Sequence, residues 1–224
     1  MMHQQISKKI FLYILLFLIV ATFNNRNLND IDLIKVDEIL IEGLDEKKNS
    51  QLVDKLKFLR EQNIFFLDNI RIKETIESSN LVEKYSVFKL YPSSLNVSII
   101  KTNFLAYTKK DGNNYLLGSN GKLIKTSELN QNLPLIFGDF KIKNFFELKD
   151  FMNEVNFEFK DVKNLFFFKS GRWDIETQYG LLIKLPKKEI KRSLQIFLDF
   201  IEVNDLSEIK EIDLRQHNQI IING

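Results

Sequence analysis

One apolar block near the amino terminus, behind two lysines, divides this chain into a part suited to a bilayer and a part that must fold in water. Residues 10–23 read IFLYILLFLIVATF, with Lys8 and Lys9 just before them and Arg26 just after, and no second block of this kind follows in the 224 residues. Ile10, Phe11, Leu15, Leu16, Leu18, Ile19 and Val20 form most of its apolar surface. Positive flanks resist translocation, so residues 1–9 are expected in the cytoplasm and everything beyond Phe23 outside. Fourteen helical residues span about 21 Å, short of the roughly 30 Å hydrocarbon core, so length alone allows a signal peptide. Cleavage needs two small residues one position apart, and Ala21 has Ile19 where its partner belongs. A helix begun at Ile6 reaches about 27 Å if Lys8 and Lys9 snorkel to the interface. An uncleaved anchor over 10–23 is therefore expected; the alternative is an exported domain released from its signal.

The formal net charge of +2 belongs to the tail: without Lys8, Lys9 and Arg26, 29 basic and 30 acidic side chains remain. That balance offers no electrostatic footprint for nucleic acid. Hydrophobic content of 44%, with 20 phenylalanines, fills one large or two small cores. The absence of cysteine excludes disulfides, thiol catalysis and cysteine-based metal sites.

Residues 24–34 read as a juxtamembrane linker. Residues 36–42 (VDEILIE) predict a strand stopped by Gly43. Asn49 and Ser50 are N-cap candidates for a helix carrying Leu52, Val53, Leu56 and Leu59 on one stripe to about Gln62. Residues 63–68 (NIFFLD) form a compact apolar connector. Residues 69–80 predict a second helix with Ile70, Ile72 and Ile76 buried, and 82–90 and 95–101 predict strands joined at Tyr91-Pro92-Ser93-Ser94. The order is β-α-α-β-β.

Beyond Ala106 the texture turns to short strands. Turn clusters at 111–114 and 119–121 flank the run 115–117, and 133–138 (LPLIFG) is a bounded apolar stretch. Helices are expected at 145–155 and 189–203, a meander over 165–168, 173–178 and 181–185, and closing strands at 209–215 and 219–223. The fold class is α+β: an N-terminal helix, a β-α-α-β-β domain, then a mostly antiparallel β domain with two helices. The expected boundaries are 1–9 tail, 10–23 anchor, 24–34 linker, 35–103 first domain and 104–224 second domain.

Catalytic constellations are hard to find. His3 lies in the tail and His217 in a turn, where solvation is its simplest explanation. Ser98 and Lys101 match Ser-x-x-Lys, but in a strand positions i and i+3 point to opposite faces. No phosphate-cradling glycine loop or nucleophile elbow occurs. No cofactor, metal or small-molecule substrate is expected, and no enzymatic activity.

The closing strands say more. Ile212 and Leu214 share one face, Asp213 and Arg215 the other. The final run QIIING is apolar on both faces. Left as a bare edge such a strand is an aggregation hazard. Either a partner strand pairs with it, or it is buried inside the sheet.

These residues resemble the FtsQ/DivIB family of bacterial division proteins. Ile39-Leu40-Ile41-Glu42-Gly43 resembles the opening strand of that family's POTRA domain, and Asn63-Ile64-Phe65-Phe66-Leu67-Asp68 its connector. Val82 through Val97 is similar to Val-x-x-x-x-Val-x-(Arg/Lys)-x-x-Pro-x-x-Leu-x-Ile. Leu133-Pro134-Leu135-Ile136-Phe137-Gly138 resembles Leu-Pro-x-(Leu/Ile)-x-Gly. Arg172-Trp173-Asp174-Ile175 through Leu185 resembles a tryptophan-led hairpin, and Ile212-Asp213-Leu214-Arg215 a near-terminal Asp-Leu-Arg. Residues 101–106 keep only the alanine of the family's Glu-(Arg/His)-x-Pro-x-Ala. Gln216 and Gly224 stand where aromatics are common.

The resemblance implies a non-enzymatic scaffold of the divisome, in the bacterial inner membrane at the septum, crossing once with its bulk in the periplasm. It implies FtsB/FtsL-like partners adding a strand at the C-terminal edge, and an FtsK-like partner toward the POTRA unit. By resemblance the contact surface comprises Arg172, Trp173, Arg215, Gln216, Asn218, Ile220, Ile221 and Ile222. For Trp173 a place in the core is the competing explanation. Arg172 and Arg215 would suit partner carboxylates bidentately, or be solvated face charges. Rival readings are a POTRA protein of export or outer-membrane assembly, an anchored cell-wall enzyme or its accessory, and a generic anchored binding domain.

Overall fold

A computed structural model describes residues 8–22, 35–127, 132–206, 208–217 and 219–223. The apolar block forms α1 (Lys8–Thr22), in which residues 10–21 are exposed along their whole length. Its 15 residues rise about 22 Å. Among the described residues no helix is long and apolar enough to cross a membrane. Ile6 and Phe23 lie outside the described residues. The chain divides at Lys101/Thr102 into two compact units.

The N-terminal unit runs β1 (Glu38–Glu42), α2 (Glu46–Leu56), a 3-10 turn (Lys57–Glu61), α3 (Asn69–Glu77), β2 (Val82–Leu90) and β3 (Ser94–Lys101). The strands form a sheet in the order β1-β3-β2. Two intervening helices return the chain so that β1 lies parallel to β3, while the short Tyr91-Pro92-Ser93 turn makes β2 and β3 antiparallel. Asp45 caps α2 by accepting the Lys48 N–H at 3.0 Å, and Asp68 caps α3 by accepting that of Arg71 at 3.0 Å. Asn49 and Ser50 are thus inside α2 and cap nothing. Asn49 instead clamps the preceding turn, donating to the Leu44 carbonyl at 3.1 Å and accepting its N–H at 3.3 Å. Ile72 and Ile76 are buried four residues apart, but Ile70 is 73% exposed. Two residues turn a helix by about 200°, which carries Ile70 off the buried stripe. The core gathers Ile39, Leu56, Leu59, Ile64, Ile76, Leu95 and Val97.

The C-terminal unit is built on a nine-stranded sheet in the order β12-β11-β10-β9-β8-β7-β4-β5-β6. Its strands are β4 (Phe104–Lys110), β5 (Asn113–Gly118), β6 (Leu123–Thr126), β7 (Leu135–Phe137), β8 (Val162–Phe167), β9 (Trp173–Thr177), β10 (Leu182–Lys184), β11 (Glu211–Asp213) and β12 (Ile221–Asn223). The β8–β9–β10 meander is antiparallel. Asn113 and Asn114, expected in a turn, open β5, because Asp111-Gly112 alone closes the hairpin. Two helices, α4 (Ile142–Glu154) and α5 (Ile190–Val203), are crossovers and create parallel joins between β7 and β8 and between β10 and β11. β4 and β7 are also parallel. The helices put Phe145, Leu148, Met152, Leu194 and Phe197 into one core with the inward side chains of the sheet. At Gly138, φ is +99° and a Cβ would lie 2.0 Å from the Phe167 carbonyl oxygen, so only glycine fits where β7 ends against β8.

Candidate protein-binding edge

Register across the sheet aligns one side chain per strand into rows. On the helix-covered face Ile136, Leu165, Ile175, Ile183 and Ile212 stand in one row, each exposed by 1% or less, and the row ends on Ile222 at 44%. That jump follows from position: β12 is the terminal strand, so Ile222 has a neighbour on one side alone. Ile221, on the opposite face, is 43% exposed, and Ile220 is half-buried against the core. The outward backbone edge of β12 has no strand partner among the described residues. The structure therefore places the final apolar run at an open edge and not inside the sheet.

The opposite face carries the row Phe137, Phe166, Asp174, Lys184, Asp213, Ile221. Phe137 and Phe166 stack at 5.0 Å. The charges pair within the chain. Arg215 clasps the Asp213 carboxylate through Nε at 2.8 and 2.9 Å and through its terminal nitrogen, and its backbone N–H donates to the same group at 2.9 Å. The closing strand expected over 209–215 is shorter, Glu211–Asp213, although the Lys210 and Leu214 N–H groups still donate to the Asn223 and Lys184 carbonyls on either side of it. Lys184 Nζ meets Glu211 at 2.6 Å, and Asn223 Nδ2 donates to Glu211 at 3.0 Å, tying β12 to β11. Arg172 Nε donates to Asp174 at 3.2 Å while its guanidinium lies 4.3 Å over the Phe168 ring.

The two aspartates are both buried yet shifted oppositely. The Arg215 hydrogen bonds hold Asp213 below the usual aspartate range. Burial pushes Asp174 above it, against the pull of Arg172. The Lys184 hydrogen bond lowers Glu211 in turn.

Trp173 requires a correction. It is 2% exposed, with Phe167 at 4.7 Å and Phe140 at 6.0 Å between ring centroids. Strand alternation turns it to the core face beside Ile175, so it occupies the core place that competed with a contact role. Arg172, half-buried, and Arg215, exposed, are both paired: each is held by a carboxylate two residues away. Gln216 and His217 are exposed, lining a depression of about 210 Å³ with Glu189 and Arg192; His217 Nδ1 lies 3.4 Å from Glu189. Asn218 lies outside the described residues. Lys184, Glu211 and Asp174 were not among the expected site residues. The period-two alternation of β9 and β10 was their available signal, but which strands adjoin is a matter of topology. Among the described residues no cluster of three or more His, Asp or Glu side chains could hold a metal.

A three-stranded β-α-α-β-β unit followed by a large sheet with two crossover helices defines a POTRA-plus-β-domain protein. The family model for the FtsQ-type POTRA domain matches residues 34–100, and that for the C-terminal domain of cell division protein FtsQ/DivIB matches 106–215. The chain belongs to the FtsQ/DivIB family of cell division proteins. It is 22% identical over 167 residues to cell division protein FtsQ of Bradyrhizobium diazoefficiens, covering 71% of this chain but 48% of that protein, so it spans about half the length of that relative. FtsQ of Rickettsia bellii is 22% identical over 197 residues and FtsQ of Rickettsia prowazekii 24% over 203, each match covering 84% of this chain and 72% of the relative. Among solved structures, the major extracytoplasmic domain of the cell division protein DivIB from Geobacillus stearothermophilus aligns with a TM-score of 0.31 at 14% identity, over 41% of this chain and 84% of that one. A likeness that slight carries no argument.

Proposed function

We propose that this protein is a non-catalytic, membrane-anchored scaffold of the bacterial division complex, and that β12 receives a strand from an FtsB/FtsL-like partner. The observation that carries the reading is the row of buried aliphatic side chains that runs out at Ile222 on an open edge. An added strand would continue that row and pair the outward backbone groups of Ile221–Asn223. Arg172 and Arg215 frame the edge as pre-oriented donors whose charge is already shared with Asp174 and Asp213. A partner carboxylate there would join an ion-pair network, not quench a bare cation. Gln216, Asn218 and Ile220–Ile222 complete the proposed surface. In this reading α1 with its flanking lysines holds the chain in the inner membrane, residues 1–9 stay cytoplasmic, and the POTRA unit (35–103) meets an upstream, FtsK-like component. The β domain is taken as 104–224.

The test is imaging of a fluorescent fusion at the amino terminus in dividing cells, beside a copy lacking residues 219–224. A mid-cell band, with the shortened copy failing to support septation, is expected. Uniform envelope fluorescence in constricting cells would refute the division role.

A further inference from the structure

The N-terminal unit carries an apolar tip that its own core does not use. The connector after the 3-10 turn folds tightly on the buried Asn63: its side-chain oxygen accepts the Phe65 N–H at 2.9 Å and its carbonyl accepts the Phe66 N–H at 3.0 Å. This turn sends Ile64 fully into the core and holds Phe65 and Phe66 outward, 51% and 62% exposed. Tyr91, in the β2–β3 loop and 61% exposed, stacks on Phe65 with ring centroids 5.2 Å apart. Ile70 follows in the first turn of α3. Lys89 Nζ donates to the Phe65 carbonyl at 3.4 Å, which sets an ammonium at the rim. Consecutive outward phenylalanines on a hydrogen-bonded turn form a presented surface, not a frayed loop.

The route of the chain says what this surface meets. Lys35 bridges Asn63 in an antiparallel pair, the Val36 N–H donates to the Gln62 carbonyl at 3.1 Å, and the Asp37 N–H to the Ser93 carbonyl at 2.8 Å. The polypeptide coming from α1 therefore joins the unit beside Phe65, Phe66 and Tyr91. α1 ends at Thr22, and the twelve residues from 23 to 34 extend to at most about 43 Å. Phenylalanine and tyrosine with a lysine at the rim are the chemistry that settles at a bilayer interface.

We infer that the Phe65–Phe66–Tyr91 tip is a lipid-contact site that seats the N-terminal unit on the outer leaflet of the membrane holding α1. The inference rests on the anchored reading above. It makes the unit's orientation a property of its own surface, with the β1–α2 end turned away from the bilayer.

The sequence contains no cysteine, so Phe66→Cys installs a unique spin label in the full chain, reconstituted into phosphatidylethanolamine–phosphatidylglycerol vesicles. A control label at Lys47→Cys sits in the first turn of α2, after the far end of β1. The label at 66 is expected to collide several-fold more with oxygen than with a water-soluble nickel complex, relative to the label at 47. Adding Phe65→Ser and Tyr91→Ser should move it to the aqueous value, with helix content unchanged by circular dichroism. A chain that does not float with the vesicles overturns the anchor and the tip together. A floating chain whose residue 66 is as aqueous as residue 47 overturns the tip alone. A label shielded equally from both reagents assigns the tip to a protein surface and also overturns the inference.

Discussion

Asp174 and Asp213 are nearly equally hidden, 3% and 7% exposed, yet neutralising each should change stability with opposite sign. Asp213 accepts the side chain and backbone N–H of Arg215. Asp213→Asn removes charge-assisted bonds worth about 1.5–3 kcal/mol each in buried settings; because Arg215 is partly exposed and can turn to water, a net loss of about 2 kcal/mol is expected. At Asp174 desolvation outweighs the 3.2 Å bond from Arg172. Asp174→Asn removes the buried charge, and Arg172 keeps its place over Phe168, so the variant should be unchanged or up to about 1 kcal/mol more stable. The assay is urea unfolding of the full chain in detergent micelles, followed by Trp173 fluorescence. Trp173 is the single tryptophan and lies buried in the same unit, so the signal reports this sheet. The pH dependence supplies an independent sign. Asp174 has a raised folded pKa, so its charge reduces stability progressively as pH rises from the ordinary aspartate value through the folded one; Asp174→Asn should flatten that decline. Asp213 has a lowered folded pKa, so its contribution is present above the unfolded value and lost as pH falls through the folded one. Equal losses from the two substitutions would refute the account, because burial would then not dominate at Asp174.

Trp173→Ala should cost about 3–5 kcal/mol if the side chain is core rather than contact, read by urea unfolding followed by circular dichroism because the substitution removes the single tryptophan. Gly138→Ala should lose at least about 2 kcal/mol, since its Cβ would strike the Phe167 carbonyl and part β7 from β8; an unchanged midpoint would show that the strands can separate cheaply. Ile222→Asp should cost less than about 1 kcal/mol, because the side chain is already 44% exposed, while abolishing capture of an FtsB/FtsL-like periplasmic segment in a pull-down. Undiminished capture would place the partner elsewhere.

The N-terminal unit was largely legible because its signals are local: Ile72 and Ile76 at helical spacing, alternation through 82–90 and 95–101, and proline between them. The misreadings there came from ambiguity within one turn, where Asp45 competes with Asn49 as a cap and Ile70 sits near a stripe it does not join. In the C-terminal unit the elements were legible and their neighbours were not. Nothing in residues 135–137 says that β7 lies between β4 and β8, and nothing in β10 says that α5 returns the chain to pair β11 parallel to it. Trp173 shows the limit most plainly. A motif marks the stretch, but alternation across a known sheet decides that Arg172 and Asp174 face out and Trp173 faces in.

The charges beside β12 have a kinetic consequence. Arg172, Lys184 and Arg215, in or beside the strands leading out to β12, are matched one for one by Asp174, Glu211 and Asp213, so these three pairs present ordered dipoles and almost no net field of their own. Without a field there is little long-range steering, and encounter should proceed at the unsteered 10⁵–10⁶ M⁻¹s⁻¹ expected of roughly neutral surfaces. Added salt should then scarcely alter how often a partner arrives. On the proposed reading, what would distinguish one partner from another at this edge is how long it stays, set by the dissociation of a strand whose side chains complete the row beyond Ile222.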